Sequence, residues 1–384
     1  MRFTKMKNLI FGSALLLSAD VSADNESAFS AAEEGDHAAT LYELRLLSAQ
    51  GDANAQYNLA VLYDQGTEAP QDYAEAVEWY TKAAEQGYAA AQHSLGHIYR
   101  NGSGFPQDFA RAVSWYTKAA EQGFALSQYN LARMYADGEG VSQDYEEAAK
   151  WYTEAAEQGY ASAQTALGVA FMSGQGVAQN PQEAILWHIK AAEQGDMYGQ
   201  YNLAFSYRNG IGVAQDYPLA MHWYTKAAEQ GHGLAQYNLA LMYANGEGVS
   251  VNYESAVNWY TAAAEQGYAR AQYNLALIYD DAEGIPPDYE SAVRWYTKAA
   301  EQDDFYAQNN LGLMYDRGAG VLQDYVIAAE WYTKAAEQGF ADAQYNLGGM
   351  YEFGDGVPRD YEAALKWYTK AAEQGHAKAK AKIE

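Results

Sequence analysis

Two histidines, His93 and His97, stand four residues apart, a spacing that sets two imidazoles on one helix face and can hold a zinc ion. A third ligand would have to come from elsewhere in the chain, and no glutamate follows in the pattern of a zinc hydrolase. Two polar histidines of a binding groove are the favoured reading. The acidic loop Asp280-Asp281-Ala282-Glu283 gathers carboxylates but lacks the ligand spacing of a calcium-binding EF-hand. The absence of cysteine excludes disulfides, thiolate metal sites and cysteine nucleophiles. No Gly-x-x-x-x-Gly-Lys-Ser/Thr, Ser-x-x-Lys or Gly-x-Ser-x-Gly pattern occurs, and the Gly-x-Gly stretches lack the third glycine of a dinucleotide site. The expectation is a chain with no catalytic residue, no cofactor and no metal.

The amino terminus reads as a secretory signal over residues 1–23. Arg2, Lys5 and Lys7 precede the apolar run Leu9–Leu17, and Val21-Ser22-Ala23 supplies the small residues of a cleavage site. That run is too short to span a bilayer, which takes about 20 residues, and no later stretch approaches that length. The expected location is the periplasm or the exterior. Net charge is −26, and the segment before Asp24 carries three basic side chains against one acidic, so the mature chain is more negative still. Such a surface repels nucleic acid and anionic lipid; its plain reading is solubility.

The elements that would position any site are set by a repeat. All nine tryptophans, from Trp79 to Trp367, are 36 residues apart. A strict period of that length is the mark of a solenoid of stacked supersecondary units. The nine units run from Asp52–Gly87 to Phe340–Gly375, each with two helical patterns. In the first, helix A spans about Ala53–Asp64, with Ala55, Leu59, Leu62 and Tyr63 on one face. Helix B spans about Tyr73–Gln86, with Ala76, Trp79, Tyr80, Ala83 and Ala84 toward its neighbours. Asp72, or Asp or Asn at the same place in every copy, is the expected N-cap of helix B. Gly87 is expected in the left-handed region after it, and Asp303 takes that place once. Trp79 and its counterparts read as the filling between units. Residues 24–51 form an amino-terminal segment whose stretch 36–51 is a capping helix, with Asp36 as its cap and Leu41, Leu44 and Leu47 on one face. Residues 376–384 begin a tenth helix A that Lys378, Lys380 and Lys382 keep polar.

The motif Ala-x-Ala-Gln-x-x-Leu-Ala/Gly-x-x-Tyr, then Gly-x-Gly-Val-x-x-Asp-Tyr and Ala-x-x-Trp-Tyr-x-x-Ala-Ala-x-x-Gly, resembles the Sel-1-like repeat, a relative of the tetratricopeptide repeat. The resemblance covers about residues 36–384. It implies an all-α, right-handed superhelical solenoid of helix pairs, with helix A on the concave side, and a role as a scaffold for binding.

Comparing the copies separates packing places from free ones. In helix A the places of residues 54, 57, 61, 64 and 65 vary and share one face, away from Leu59 and Tyr63. Early copies carry His93, His97, Arg100, Tyr129 and Arg133 there. Later ones carry Tyr201, Phe205, Arg208, Tyr237, Leu241, Tyr273, Leu277 and Leu313. Arginine and aromatic side chains are common anchors of binding hot spots, so these residues are the expected lining of a partner groove, with an apolar strip over units five to eight. The tyrosines have a second reading, packing on the next helix A. The fourth unit is the least regular, with Phe171, Met172, Pro181, His188 and Ile189 in place of commoner residues. The functional expectation is an exported, monomeric, non-enzymatic scaffold for a protein or peptide partner, not nucleic acid. Two alternatives stand beside it. One is a cell-wall enzyme of the penicillin-binding or β-lactamase kind, as in a cysteine-rich branch of the resembling family whose cysteines this chain lacks. The other is a binder of cell-wall glycan.

Overall fold

A computed structural model describes residues 37–67, 69–281 and 285–383. The proposed signal, Asp36, and Ala282 and Glu283 of the acidic loop lie outside the described residues. Among those described there are twenty α-helices and no strand. The first is α1 (His37–Ala49). The first helices of the nine repeats are α2 (Ala53–Gln65), α4 (Ala89–Asn101), α6 (Ala125–Asp137), α8 (Ala161–Ser173), α10 (Met197–Asn209), α12 (Gly233–Asn245), α14 (Ala269–Asp281), α16 (Phe305–Arg317) and α18 (Ala341–Phe353). The second helices are α3 (Tyr73–Glu85), α5 (Phe109–Glu121), α7 (Tyr145–Glu157), α9 (Pro181–Glu193), α11 (Tyr217–Glu229), α13 (Tyr253–Glu265), α15 (Tyr289–Ala300), α17 (Tyr325–Glu337) and α19 (Tyr361–Glu373), and α20 (Ala377–Ile383) ends the order. The fold is an all-α solenoid of helix pairs, and it divides into two compact units at Gly199/Gln200.

Local punctuation follows the residues that dictate it. Each second helix opens on an Asp or Asn whose side chain accepts from backbone N–H groups of its first turn, as Asp72 does from Ala74 and Glu75. Each closes on a left-handed residue, Gly87 at φ 90° for instance. Asp303 stands there at φ 64°, the one non-glycine with positive φ among the described residues. The second glycine of the Gly-x-Gly loop is required for approach as well as for φ. A Cβ on Gly176 would lie 1.8 Å from the Tyr145 carbonyl oxygen of the preceding repeat.

The core is made of alanine and one large ring. Ala55, Ala76, Ala83 and Leu59 are wholly buried, and so are their counterparts in most repeats. The deepest aromatic is the tyrosine after each tryptophan: Tyr80, Tyr116, Tyr224, Tyr260, Tyr296 and Tyr332 are almost completely covered. The tryptophans pack beside it, as their regular spacing suggested. Trp115 and Trp151 do pack on the core of the preceding repeat, but seven of the nine indoles stay half-exposed. Seven of the nine carry a lysine three residues on, and in six of these its Nζ lies 3.7–4.3 Å from the indole centroid. The tyrosine ring lies against an alanine or glycine of the first helix. A Cβ on Gly96 would be 2.6 Å from the Tyr116 ring, which explains the Ala/Gly alternation at that place.

One buried polar group joins the repeats. Gln92 of α4 donates through Nε2 to the Ala84 carbonyl at the end of α3 (3.0 Å), and its Oε1 accepts from Gln122 of α5 (2.7 Å). Gln128, Gln164, Gln236, Gln272, Gln308 and Gln344 repeat both bonds with their own neighbours. Each amide thus ties the helix before it to the helix after it. A net bond contributes about 1 kcal/mol, whereas a buried carbonyl stripped of its donor costs about 1–3 kcal/mol. Gln236→Leu is therefore expected to lower stability by about 2–3 kcal/mol in urea unfolding, and Gln266→Ala, at the exposed end of the same pair, by under about 1 kcal/mol. Equal losses would show that burial of the first glutamine is not what matters.

Candidate functional site

The variable face of the first helices carries all thirteen expected groove residues, but the structure sorts them. The ring at place 57 is clamped between the second helix of its own repeat and the first residue of the next. His93 lies 5.4 Å from both the Tyr116 and Phe124 rings, and Tyr129 lies 5.8 and 5.3 Å from Tyr152 and Tyr160. In the second unit Tyr201 stacks on His232 at 4.6 Å, Tyr237 meets Tyr260 at 5.9 Å, and Tyr273 meets Tyr296 and Tyr306 at 6.0 and 5.7 Å. These half-buried tyrosines belong to an aromatic ladder, as in the second of the two readings above.

The arginines are committed as well. Arg100 donates to Glu139 at 2.9 Å. Arg208 makes a fork to both oxygens of Glu247 at 2.7 and 3.0 Å and donates to Asn238 at 2.9 Å. The Arg208 hydrogen bond holds the Glu247 carboxyl below its usual range. Arg133 lies with its guanidinium carbon 5.9 Å from the Tyr129 ring centre. His93 Nδ1 pairs with Ser127 Oγ at 2.9 Å, while His97 is exposed and pairs with Asn101 at 2.8 Å. Burial, then the neighbouring His97, lowers His93 to about 4. Among the described residues no three His, Cys, Asp or Glu side chains gather to hold a metal.

What remains open is the apolar row. Phe205 is exposed, and Leu241, Leu277 and Leu313 are half-buried at the same register on α10, α12, α14 and α16. Leu241 and Leu277 rest on one hydrophobic core and Leu313 on the next. Leu234 and Tyr306 add exposed apolar surface three places before the ladder, on α12 and α16.

Two features escaped the sequence reading. The first is a set of carboxylate–tyrosine pairs one turn beyond the apolar row. Tyr80, Tyr296 and Tyr332 donate to Asp64, Asp280 and Asp316 at 3.3, 3.2 and 3.5 Å, and Tyr368 donates to Glu352 at 2.6 Å. Burial raises Asp64, Asp280 and Asp316 above the usual carboxylate range, whereas Lys382 and Tyr368 lower Glu352. The signal lay in the acidic copies at the place of Arg100 and Arg208. The second is a cleft of about 210 Å³ between α7 and α8. Ala170 stands there where Leu62, Ile98, Met134 and Met242 fill the same place in other repeats, and Ala136, Ala149 and Ala166 widen it.

The irregular fourth repeat buries His188 where seven of the other eight repeats bury tyrosine, its ring over Gly168. Burial lowers it from 6.5 to about 4, against the pull of a Thr165 backbone group and of Asp196. Its folded value lies below the unfolded one, so protonation favours unfolding. The stability is whole above about pH 6.5 and is lost as pH falls toward 4. His188→Tyr is expected to recover about 2 kcal/mol of the stability lost between pH 7 and pH 5, read from urea midpoints at the two pH values. An unchanged pH dependence would place the acid sensitivity elsewhere.

An all-α solenoid of alanine-cored helix pairs repeated every 36 residues defines a repeat scaffold. The Sel1 repeat model matches nine times, at residues 53–88, 89–124, 125–160, 161–196, 198–232, 233–268, 269–304, 305–340 and 341–376. The chain belongs to the Sel1 repeat family. It is similar to the crystal structure of a protective antigen present in uropathogenic Escherichia coli strains and displaying an SLR fold. The two are 37% identical, with a TM-score of 0.75 and coverage of 89% of this chain and 81% of that one. It is also similar to a Sel1 repeat protein from Oxalobacter formigenes, 35% identical, with a TM-score of 0.60 and coverage of 80% of this chain and 89% of that one. A signal-transduction ATPase from Pyrococcus horikoshii with a tetratricopeptide repeat sensor shares the fold alone, at 15% identity and a TM-score of 0.50, with 87% of this chain covered and 55% of that one. No curated protein matches the chain. Such repeats are typically scaffolds for protein–protein interaction, and no described helix is long and apolar enough to cross a membrane.

Proposed function

We propose that this chain is an exported, non-enzymatic scaffold that captures a peptide or protein segment across α10–α16. The observation that carries the reading is the row Phe205, Leu241, Leu277 and Leu313, four large apolar side chains left partly open at one register. In the earlier repeats that register holds His97, Arg133 and Val169. Large apolar side chains in line on a surface mark interaction sites. The ladder of rings and the Arg208–Glu247 fork keep the underlying helices in place, so little order is lost on binding. The signal-like segment supports export, and a protective antigen among the similar proteins fits a chain that leaves the cytoplasm.

Peptide display on the purified chain tests the capture. Segments selected by the native chain are expected to bind at least tenfold more weakly to a Leu241→Ser/Leu277→Ser/Leu313→Ser variant of unchanged helical circular dichroism. Equal affinity for the two chains would rule this face out. Export is tested by fractionating the host cell and sequencing the amino terminus. A mature end near Asp24 in the envelope or medium is expected, and an intact Met1 in the cytosol would contradict export.

A further inference from the structure

Beside the apolar row runs a charged one, and it says which segment the face selects. Asp280 and Asp316 follow Leu277 and Leu313 by three residues, one helical turn, so each carboxylate neighbours an apolar side chain. Both are half-buried and each accepts from a buried tyrosine, Tyr296 or Tyr332. Neither forms an ion pair among the described residues. Exposed Arg317 draws on both from a distance, while Asp281 and Asp355 add like charge to Asp280 and Asp316 respectively. Earlier in the same unit the corresponding place is Arg208, neutralised by Glu247. Leu277 and Leu313 therefore lie beside negative charge that the chain itself leaves unbalanced.

The molecule shows what answers such a pair. At the last repeat the equivalent pair is Glu352–Tyr368, and Lys382 of α20 places its ammonium 2.7 and 3.0 Å from the two Glu352 oxygens. The same Nζ lies 5.5 and 5.6 Å from the Phe353 and Tyr368 ring centres, within cation–π range. Lys382 was expected only to keep the carboxyl end polar; it is also a cation held by the Glu352 carboxylate beside the Phe353 and Tyr368 rings.

We propose that the segment taken by this face is a basic amphipathic peptide. Its apolar side chains cover Leu241, Leu277 and Leu313, and its lysine or arginine side chains pair with the Asp280 and Asp316 carboxylates. Asn310 and Asn346 stand at the place that Lys382 takes beside Glu352, and Asn310 donates to Tyr296 at 3.1 Å, so the charge that Lys382 supplies at the last repeat has to come from the partner. The inference rests on the capture reading above and adds the chemistry of the occupant. The net charge of −26 works in the same direction at long range, steering a cation toward the chain, while the two pairs fix where it binds.

The test uses the full chain and three labelled peptides of one length with the same leucines at helical spacing, the polar positions being all Lys, all Gln or all Glu. Fluorescence anisotropy is expected to give the Lys peptide an affinity at least tenfold above the Gln peptide, with the Glu peptide weakest, and to show the Lys advantage shrinking as salt rises. Asp280→Asn/Asp316→Asn keeps an acceptor for each tyrosine. It is expected to bring the Lys peptide to within about twofold of the Gln peptide, whose own affinity stays unchanged. Glu229→Gln/Glu265→Gln removes the same charge from exposed helix ends and is expected to leave the Lys advantage in place. Equal binding of Lys and Gln peptides, or an equal loss in the Glu229/Glu265 variant, would overturn the assignment of the two pairs. Leucine-dependent binding of all three peptides would then still support capture. If no peptide binds, or if binding survives Leu241→Ser/Leu277→Ser/Leu313→Ser, the capture reading itself falls, and the inference with it.

Discussion

A buried amide must satisfy both of its ends, and the glutamine four residues into each first helix does so only when three helices stand in one arrangement. Its nitrogen reaches the last carbonyls of the helix before, and its oxygen receives the amide of the helix after. Alanine makes that reach possible, because Ala76, Ala83 and Ala84 let helix backbones close on one another while the buried tyrosine fills the gap above Ala60 or a glycine. A lost bond in such a setting costs more than the bond contributes, so the glutamine acts more as a condition on geometry than as a source of stability. Repetition of that condition gives the 36-residue register.

The register decides where function can lie. Places in the alanine core are filled alike in almost every copy, whereas the face of the first helices that carries places 57, 61 and 64 varies, although it too touches the next repeat. On it the aromatic ladder and the Arg208–Glu247 fork consume most of the hydrogen-bonding and ring surface. Few groups are left open: leucines with one side exposed, and carboxylates with a tyrosine but no counter-ion. The proposed capture would draw on that unbalanced surface.

Much of the fold could be read before the structure. The helix limits of the first repeat hold within one residue, the Asp and Asn caps hold in all nine, and Asp303 adopts the positive φ assigned to it. These depend on residues a few positions apart, where local rules operate. The candidate site was legible in part. On the varying face Phe205 is exposed and Leu241, Leu277 and Leu313 are half-buried. Arg100 and Arg208 were marked by the same variation but find partners 39 residues away. The tyrosine–carboxylate pairs join residues 16 apart and the glutamine pairs 30 apart. Such partners face each other only once the helices pack, and no local pattern in one helix marks them. The tryptophans do pack in or against the hydrophobic clusters, as their regular spacing suggested, although the tyrosine beside each is the more deeply buried ring in most repeats.

The central claim is that the exposed face of α12, α14 and α16 does the binding while the repeat interfaces stay as they are. Amide hydrogen exchange on the full chain, with and without a saturating basic amphipathic peptide, measures this directly. Slowed exchange is expected around Leu241, Leu277 and Leu313 in those three helices, with α13, α15 and α17 unchanged. Protection centred on the second helices, or on the cleft beside Ala170, would contradict it.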